Sequence, residues 1–151
     1  MPDDAPGFVP DDFTAPEYLE AAGFYLEPLG PQHNDADYRA WTTSMDHIRR
    51  SPGFRDGNWP HPMTLAENRG DLERHAADFA GRRGFTYTVL DPQSRDVIGC
   101  LYIYPAKEAG HDAEVSSWVR ADHASRDASL RTAVREWLRS DWPFRAPHYE
   151  Q

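Results

Sequence analysis

The 151-residue sequence predicts an α+β fold with its elements in the order β-α-α-β-β-β-α-β. Three observations predict it. From Ala113 to Arg120 the residues alternate as in a strand, then pass through a short polar turn into an amphipathic helical pattern that reaches Leu138. Two β-rich runs, Phe85 to Asp91 and Val97 to Pro105, are joined by the turn PQSRD and read as an antiparallel hairpin. Ahead of the hairpin, apolar residues recur at spacings of three and four in two stretches separated by a Gly- and Pro-rich linker.

In chain order, residues 1–22 come first, an acidic, proline-rich arm. Asp3, Asp4, Asp11, Asp12, Glu17 and Glu20 face no Lys or Arg there, and Pro2, Pro6, Pro10 and Pro16 block a continuous helix. Two readings stand for it, a disordered tail or an arm that drapes over the body and inserts Phe8 and Phe13. Residues 23–151 form the domain proper. Gly23 to Gly30 is a first strand ended by Pro28. A helix follows, capped by Asn34 or Asp35, with Tyr38, Trp41, Met45 and Ile48 as its buried stripe. After the linker Ser51 to Pro62, Thr64 and Glu67 form a capping box that opens a second helix, with Leu65, Leu72, Ala76 and Phe79 inward. Trp59 in the linker closes the gap between the helices or touches a substrate.

The hairpin places Cys100, Tyr102 and Tyr104 on one face and Leu101 and Ile103 on the other, so it is central to the sheet. The strand Ala113 to Arg120 puts Val115, Ser117 and Val119 on one face and Glu114, Ser116, Trp118 and Arg120 on the other. The helix after it buries Leu130, Ala133, Val134, Trp137 and Leu138, and Arg145 to Gln151 offers a last short strand.

Composition narrows the function classes. A single domain of this length buries roughly 68–70% of its unfolded surface. A formal charge of −9 argues against nucleic-acid and anionic-membrane partners. No run of about 18 apolar residues and no basic-then-apolar leader is present, so a cytoplasmic location is expected. The lone Cys100 in an apolar strand reads as a buried, inert thiol in a reducing compartment. No metal-ligand spacing occurs among the seven His, so no metal is expected.

The strand ending in E-P-L, the two helices, the hairpin strand V-I-G-C-L-Y-I-Y and the strand W-V-R turning into a helix resemble the GNAT superfamily of N-acetyltransferases over residues 23–151. The resemblance implies a mixed, mostly antiparallel sheet with helices on both faces, here truncated after the fifth strand. It also implies acetyl-CoA as cofactor, held by Trp118, Val119, Arg120, Arg126 and Ser129, and Glu114 as general base toward an amine. In the family the strand leads into a pyrophosphate loop of pattern Q/R-x-x-G-x-G/A. Here Ala124, Asp127 and Ser129 stand at its key positions. Glycines let backbone N–H groups approach phosphate closely, and Asp127 adds a charge of the wrong sign. Asp127 and Ser125 are also good N-caps for their own helix.

Two functions are therefore expected. One is an acyl-CoA-dependent N-acetyltransferase acting on a small amine, with Tyr102 and Tyr104 as candidates for the thiolate's acid. The other is a non-catalytic GNAT-like binding or interaction module with a protein partner. The shortened sheet leaves an open edge that the aromatic arm or a second copy of the chain, as a homodimer, would cover.

Overall fold

The computed structural model describes residues 7–150, so Pro2, Asp3, Asp4 and Pro6 of the arm lie outside the described residues. Six strands form one sheet in sequential order: β1 (Leu19–Ala21), β2 (Phe24–Pro28), β3 (Phe85–Leu90), β4 (Val97–Tyr104), β5 (Ala113–Val119) and β6 (Pro147–Tyr149). The first four pairings are antiparallel and β5–β6 is parallel. The helices are α1 (Asn34–Thr42), α2 (Met45–Arg50), α3 (Leu65–Ala80) and α4 (Asp127–Asp141).

The sheet has a core on each face. Leu130, Val134 and Trp137 of α4 pack on Leu101, Ile103 and Val119, while Trp41, Ile48 and Leu72 of α1 to α3 pack on Cys100 and Trp118. The alternation expected for β4 and β5 holds residue by residue. It is interrupted once: Val89 pairs with Gly99 and Leu90 with Val97, so Ile98 is an extra residue bulged out of the β3–β4 ladder.

Three expectations are corrected here. The predicted first helix is two, because at its break Thr42 and Thr43 bond back to the carbonyls of Tyr38 and Arg39 and Ser44 turns its hydroxyl to the amide of Ala121 at 2.9 Å. Neither Asn34 nor Asp35 caps α1. His33 stands at the N-cap, and the Asn34 side chain reaches across to Leu65 and Asn68. Leu65 is exposed, and the buried side of α3 carries Asn68 and Leu72.

The capping box of α3 is present as expected, with Glu67 N–H donating to Thr64 Oγ1 at 3.0 Å and Thr64 N–H to Glu67 Oε1 at 2.8 Å. Thr64→Ala should therefore cost about 1 kcal/mol in urea unfolding; no change would mean that tertiary contacts alone hold this helix end.

Of the two readings of the arm, its described residues take the draped one. Val9 is buried, Phe8 stacks on Phe85 and Phe144, Phe13 lies on Trp142, and Tyr87 donates to the carbonyl of Pro16 at 2.6 Å. Arg82, at φ 61°, donates to the carbonyls of Pro10 and Phe13. The arm closes the α4-side core and adds β1 beside β2. That is the edge opposite β6, so the arm does not cover the edge for which it was expected.

Candidate functional site

β5 leads the chain to the site. Its end bonds to β4 through Arg120 N–H to Ile98 O at 2.8 Å, so the backbone groups of Ser117 and Val119, one residue out of phase, point away from β4. β6 pairs with β5 only at Ala113–Pro147, Glu114–His148 and Val115–Tyr149. Past Val115 the edge of β5 has no paired strand among the described residues.

Side chains cover that edge. Tyr149 shares a 2.5 Å hydrogen bond with Ser117 Oγ, and the guanidinium groups of Arg131 and Arg135 lie 5.2 and 5.1 Å from its ring centre. Buried Arg131 donates to Asp127 at 2.8 Å and to the carbonyl of Glu150 at 2.7 Å, with a longer bond to the carbonyl of Ser117. The Glu150 carboxylate accepts from the amide of Gly53. Burial pushes the Tyr149 phenol up, so it stays neutral.

The β5–α4 connection is a 3-10 turn over Ala121–Arg126. Arg120 clasps Asp122 through two nitrogens, at 3.0 and 2.6 Å, and together with His123 holds that carboxyl down at about 2. Arg126 is engaged elsewhere, donating to Asp91 at 3.1 Å and to the carbonyl of Gly23 at 2.7 Å. Asp91, which also accepts from the amides of Gln93 and Ser94, is lowered to about 2, the backbone bonds first and Arg126 after them. Ser129 is exposed in the first turn of α4. The expected cap is absent: Asp127 lies inside α4 with its carboxylate directed along the helix to Arg131, and neither it nor Ser125 caps the helix. An arginine at i+4 competes for the carboxylate, and this one is buried.

Of the residues singled out beforehand, Glu114 and Trp118 share a face of β5, Val119 lies on the opposite face, and Arg120, Arg126 and Ser129 are spread along the turn. Glu114 is half-exposed and lies 2.8 Å from His148 Nδ1, whose ring lies tilted against that of His111. Trp118 is fully buried and donates to Tyr102 at 2.9 Å. Burial raises Tyr102 and Cys100 well above their ordinary values. Tyr104 donates to Asp78 at 2.9 Å, and burial pushes it up to about 12.

The Ser116 face of β5 looks into a cavity of about 300 Å³ between α1, α3 and β4. Leu29, Phe54, Trp59, Leu72 and Tyr102 make its apolar wall, and Asp37, Asp71, Arg74 and His75 its polar lining. Trp59, expected to close the gap between helices, does so against Trp41, Phe54 and Trp118. Asp37 is 4% exposed and belongs to a buried polar network. Asn68 Nδ2 reaches Asp37 Oδ2 at 3.1 Å and Asn34 Oδ1 at 2.8 Å, while its oxygen accepts from Trp41 Nε1 at 3.0 Å. Burial, the largest influence, raises the Asp37 carboxyl to about 6, and the Asn68 bond opposes it. Sequence reasoning missed Asp37, Asn68 and Arg131. The signal for the first was an acid on the same helical stripe as Trp41, four residues on. Among the described residues no cluster of three or more His, Cys, Asp or Glu could hold a metal ion.

The model of the Acetyltransferase (GNAT) domain matches residues 24–147. No curated protein matches the chain. Among solved structures, RimL, a ribosomal α-N-protein acetyltransferase in complex with coenzyme A, is similar at TM-score 0.62 and 14% identity, over 83% of this chain and 70% of that one. The ribosomal-protein-S5-alanine acetyltransferase from Vibrio fischeri is similar at TM-score 0.60 and 13% identity, over 80% and 66%. A GNAT-family acetyltransferase from Bordetella pertussis is similar at TM-score 0.57 and 20% identity, over 83% and 74%. The alignment with the Vibrio fischeri structure spans 66% of that protein's length.

Proposed function

Because the chain belongs to the GNAT acetyltransferase family, we propose that it is an acyl-CoA-dependent N-acetyltransferase acting on a small amine. The observation that carries this reading is the two-sidedness of β5: past Val115 its backbone edge carries no paired strand among the described residues, while its Ser116 face borders a cavity of about 300 Å³. A donor on the edge and an acceptor on the face would meet at one strand.

The residues fit acetyl-CoA in part. The edge groups of Val119 can take an amide of an extended pantetheine arm, as can those of Ser117 once Arg131 releases its carbonyl; the start of α4 is free of a side-chain cap, which suits a phosphate, while Asp127 in its first turn opposes one. Arg126, Arg120 and Ser129 are the nearby side chains for that phosphate, and the two arginines would have to leave their present partners, Asp91 and the Gly23 carbonyl for Arg126 and Asp122 for Arg120. Tyr149 and Glu150 do not fit, since they lie along that edge and would have to withdraw. The cofactor would supply the acetyl group as a thioester. In this scheme Glu114, held by His148, takes the proton that the amine loses.

That covered edge also favours a second reading, a binding module of the same fold that holds no acyl-CoA. Isothermal titration with acetyl-CoA at low ionic strength separates the two. The enzyme reading expects saturable micromolar binding, weakened about tenfold or more by Arg126→Ala. No heat at millimolar cofactor would leave the binding module.

A further inference from the structure

We propose that the cavity between α1, α3 and β4 binds a primary ammonium ion on a compact apolar body, with Asp37 as its counter-ion and Phe54, Trp59 and Tyr102 as its walls. This deepens the reading of the cavity as an acceptor site, and rests on that reading only for the consequence that the bound amine is acetylated.

The charge on Asp37 is the first argument. Asp71 beside it is paired with Arg74 at 2.8 Å, His33 is paired with Glu27 at 2.8 Å, and Asp78 is paired with Arg83 at 3.2 Å. Asp37 has no cationic partner among the described residues, and one hydrogen bond, from Asn68, reaches its carboxylate. A buried carboxylate without a counter-ion is costly, and a cation entering the cavity would relieve that cost.

The walls are the second. The rings of Phe54, Trp59 and Tyr102 stand with centroids 6.0, 6.2 and 6.5 Å apart in their three pairings. Aromatic faces attract a partly desolvated cation and also accept its apolar body, which a metal ion does not offer. The volume is at the small end for ligand sites, which sets the body at roughly ten heavy atoms. His75 does not compete for Asp37, because burial lowers its pKa and keeps it neutral, with Nδ1 engaged by Tyr104 and Thr86.

The probe is 2-phenylethylammonium, with 2-phenylethanol as its neutral isostere, each titrated against the full chain by calorimetry at physiological salt and without any acyl donor. The ammonium should bind saturably and at least tenfold more tightly than the alcohol. Its affinity should be flat above about pH 6 and fall about tenfold per unit below it, because the cation favours the ionised form of Asp37. The groups facing that carboxyl are His33, Asp71, Arg74, His75, Cys100 and Tyr102. Asp37→Asn should abolish both the preference and the pH dependence, and Trp59→Leu should weaken the ammonium severalfold. Equal affinity for the alcohol, or wild-type affinity in a folded Asp37→Asn protein, would overturn the proposal. Should that variant fail to fold, the isostere comparison and the pH series on the native chain decide it. Acetyl-CoA binding without ammonium binding would sink this inference alone.

Discussion

Asp127→Ala is expected to destabilise the protein by about 3 kcal/mol, because it strands a buried arginine. The Arg131 side chain is 7% exposed and spends its Nε on Asp127, so the truncation leaves a charge with no carboxylate partner, facing the carbonyls of Glu150 and Ser117 and the ring of Tyr149. Asp127 itself is 28% exposed, and water would fill part of its place, which puts the loss at the lower end of the range for broken buried pairs. Removing both partners should cost much less, so the double variant Asp127→Ala with Arg131→Met is expected to recover most of the lost stability. Urea unfolding of the two variants checks this. A single-variant loss under about 1 kcal/mol would mean that the pair behaves as an exposed one.

Gly99→Ala is the second large effect, about 2–3 kcal/mol. The position sits beside the bulge at Ile98, and a Cβ there would run into the carbonyl oxygen of Trp118, with its carbonyl carbon and the Val119 Cα both at 3.4 Å. All three obstacles are backbone in a central ladder, which cannot yield as a side-chain tip can. Either β4 and β5 separate locally or the bulge moves, and both shift Trp118 and Val119 away from the edge assigned to the cofactor. Denaturant unfolding gives the size of the effect. A loss below about 0.5 kcal/mol would show that the ladder accommodates the methyl group freely.

What was legible in the sequence was whatever a local rule decides. The alternation that separates Val115 from Glu114 and Trp118 follows from the pleat alone, and the Thr64–Glu67 box from neighbours three residues apart. Partners distant in sequence decided the rest. Asp127 looks like a cap until Arg131 is seen to be buried under Tyr149, 18 residues further on. The helix break at Ser44 depends on the amide of Ala121, and the inward turn of Asp37 on Asn68 from another helix. In each case the local signal was genuine, and a tertiary contact outbid it.

The arm described above bears on where the cooperative unit begins. The family match starts at Phe24, yet Arg82 holds the carbonyls of Pro10 and Phe13, and the Tyr87 hydroxyl holds that of Pro16. A chain cut at the domain-family boundary would uncover Phe85 and Trp142 and leave the buried Tyr87 hydroxyl without its acceptor. The arm's near end is thus one of the walls of the hydrophobic interior, and the smallest autonomous folding piece of this protein is expected to be longer than the stretch that the family model matches.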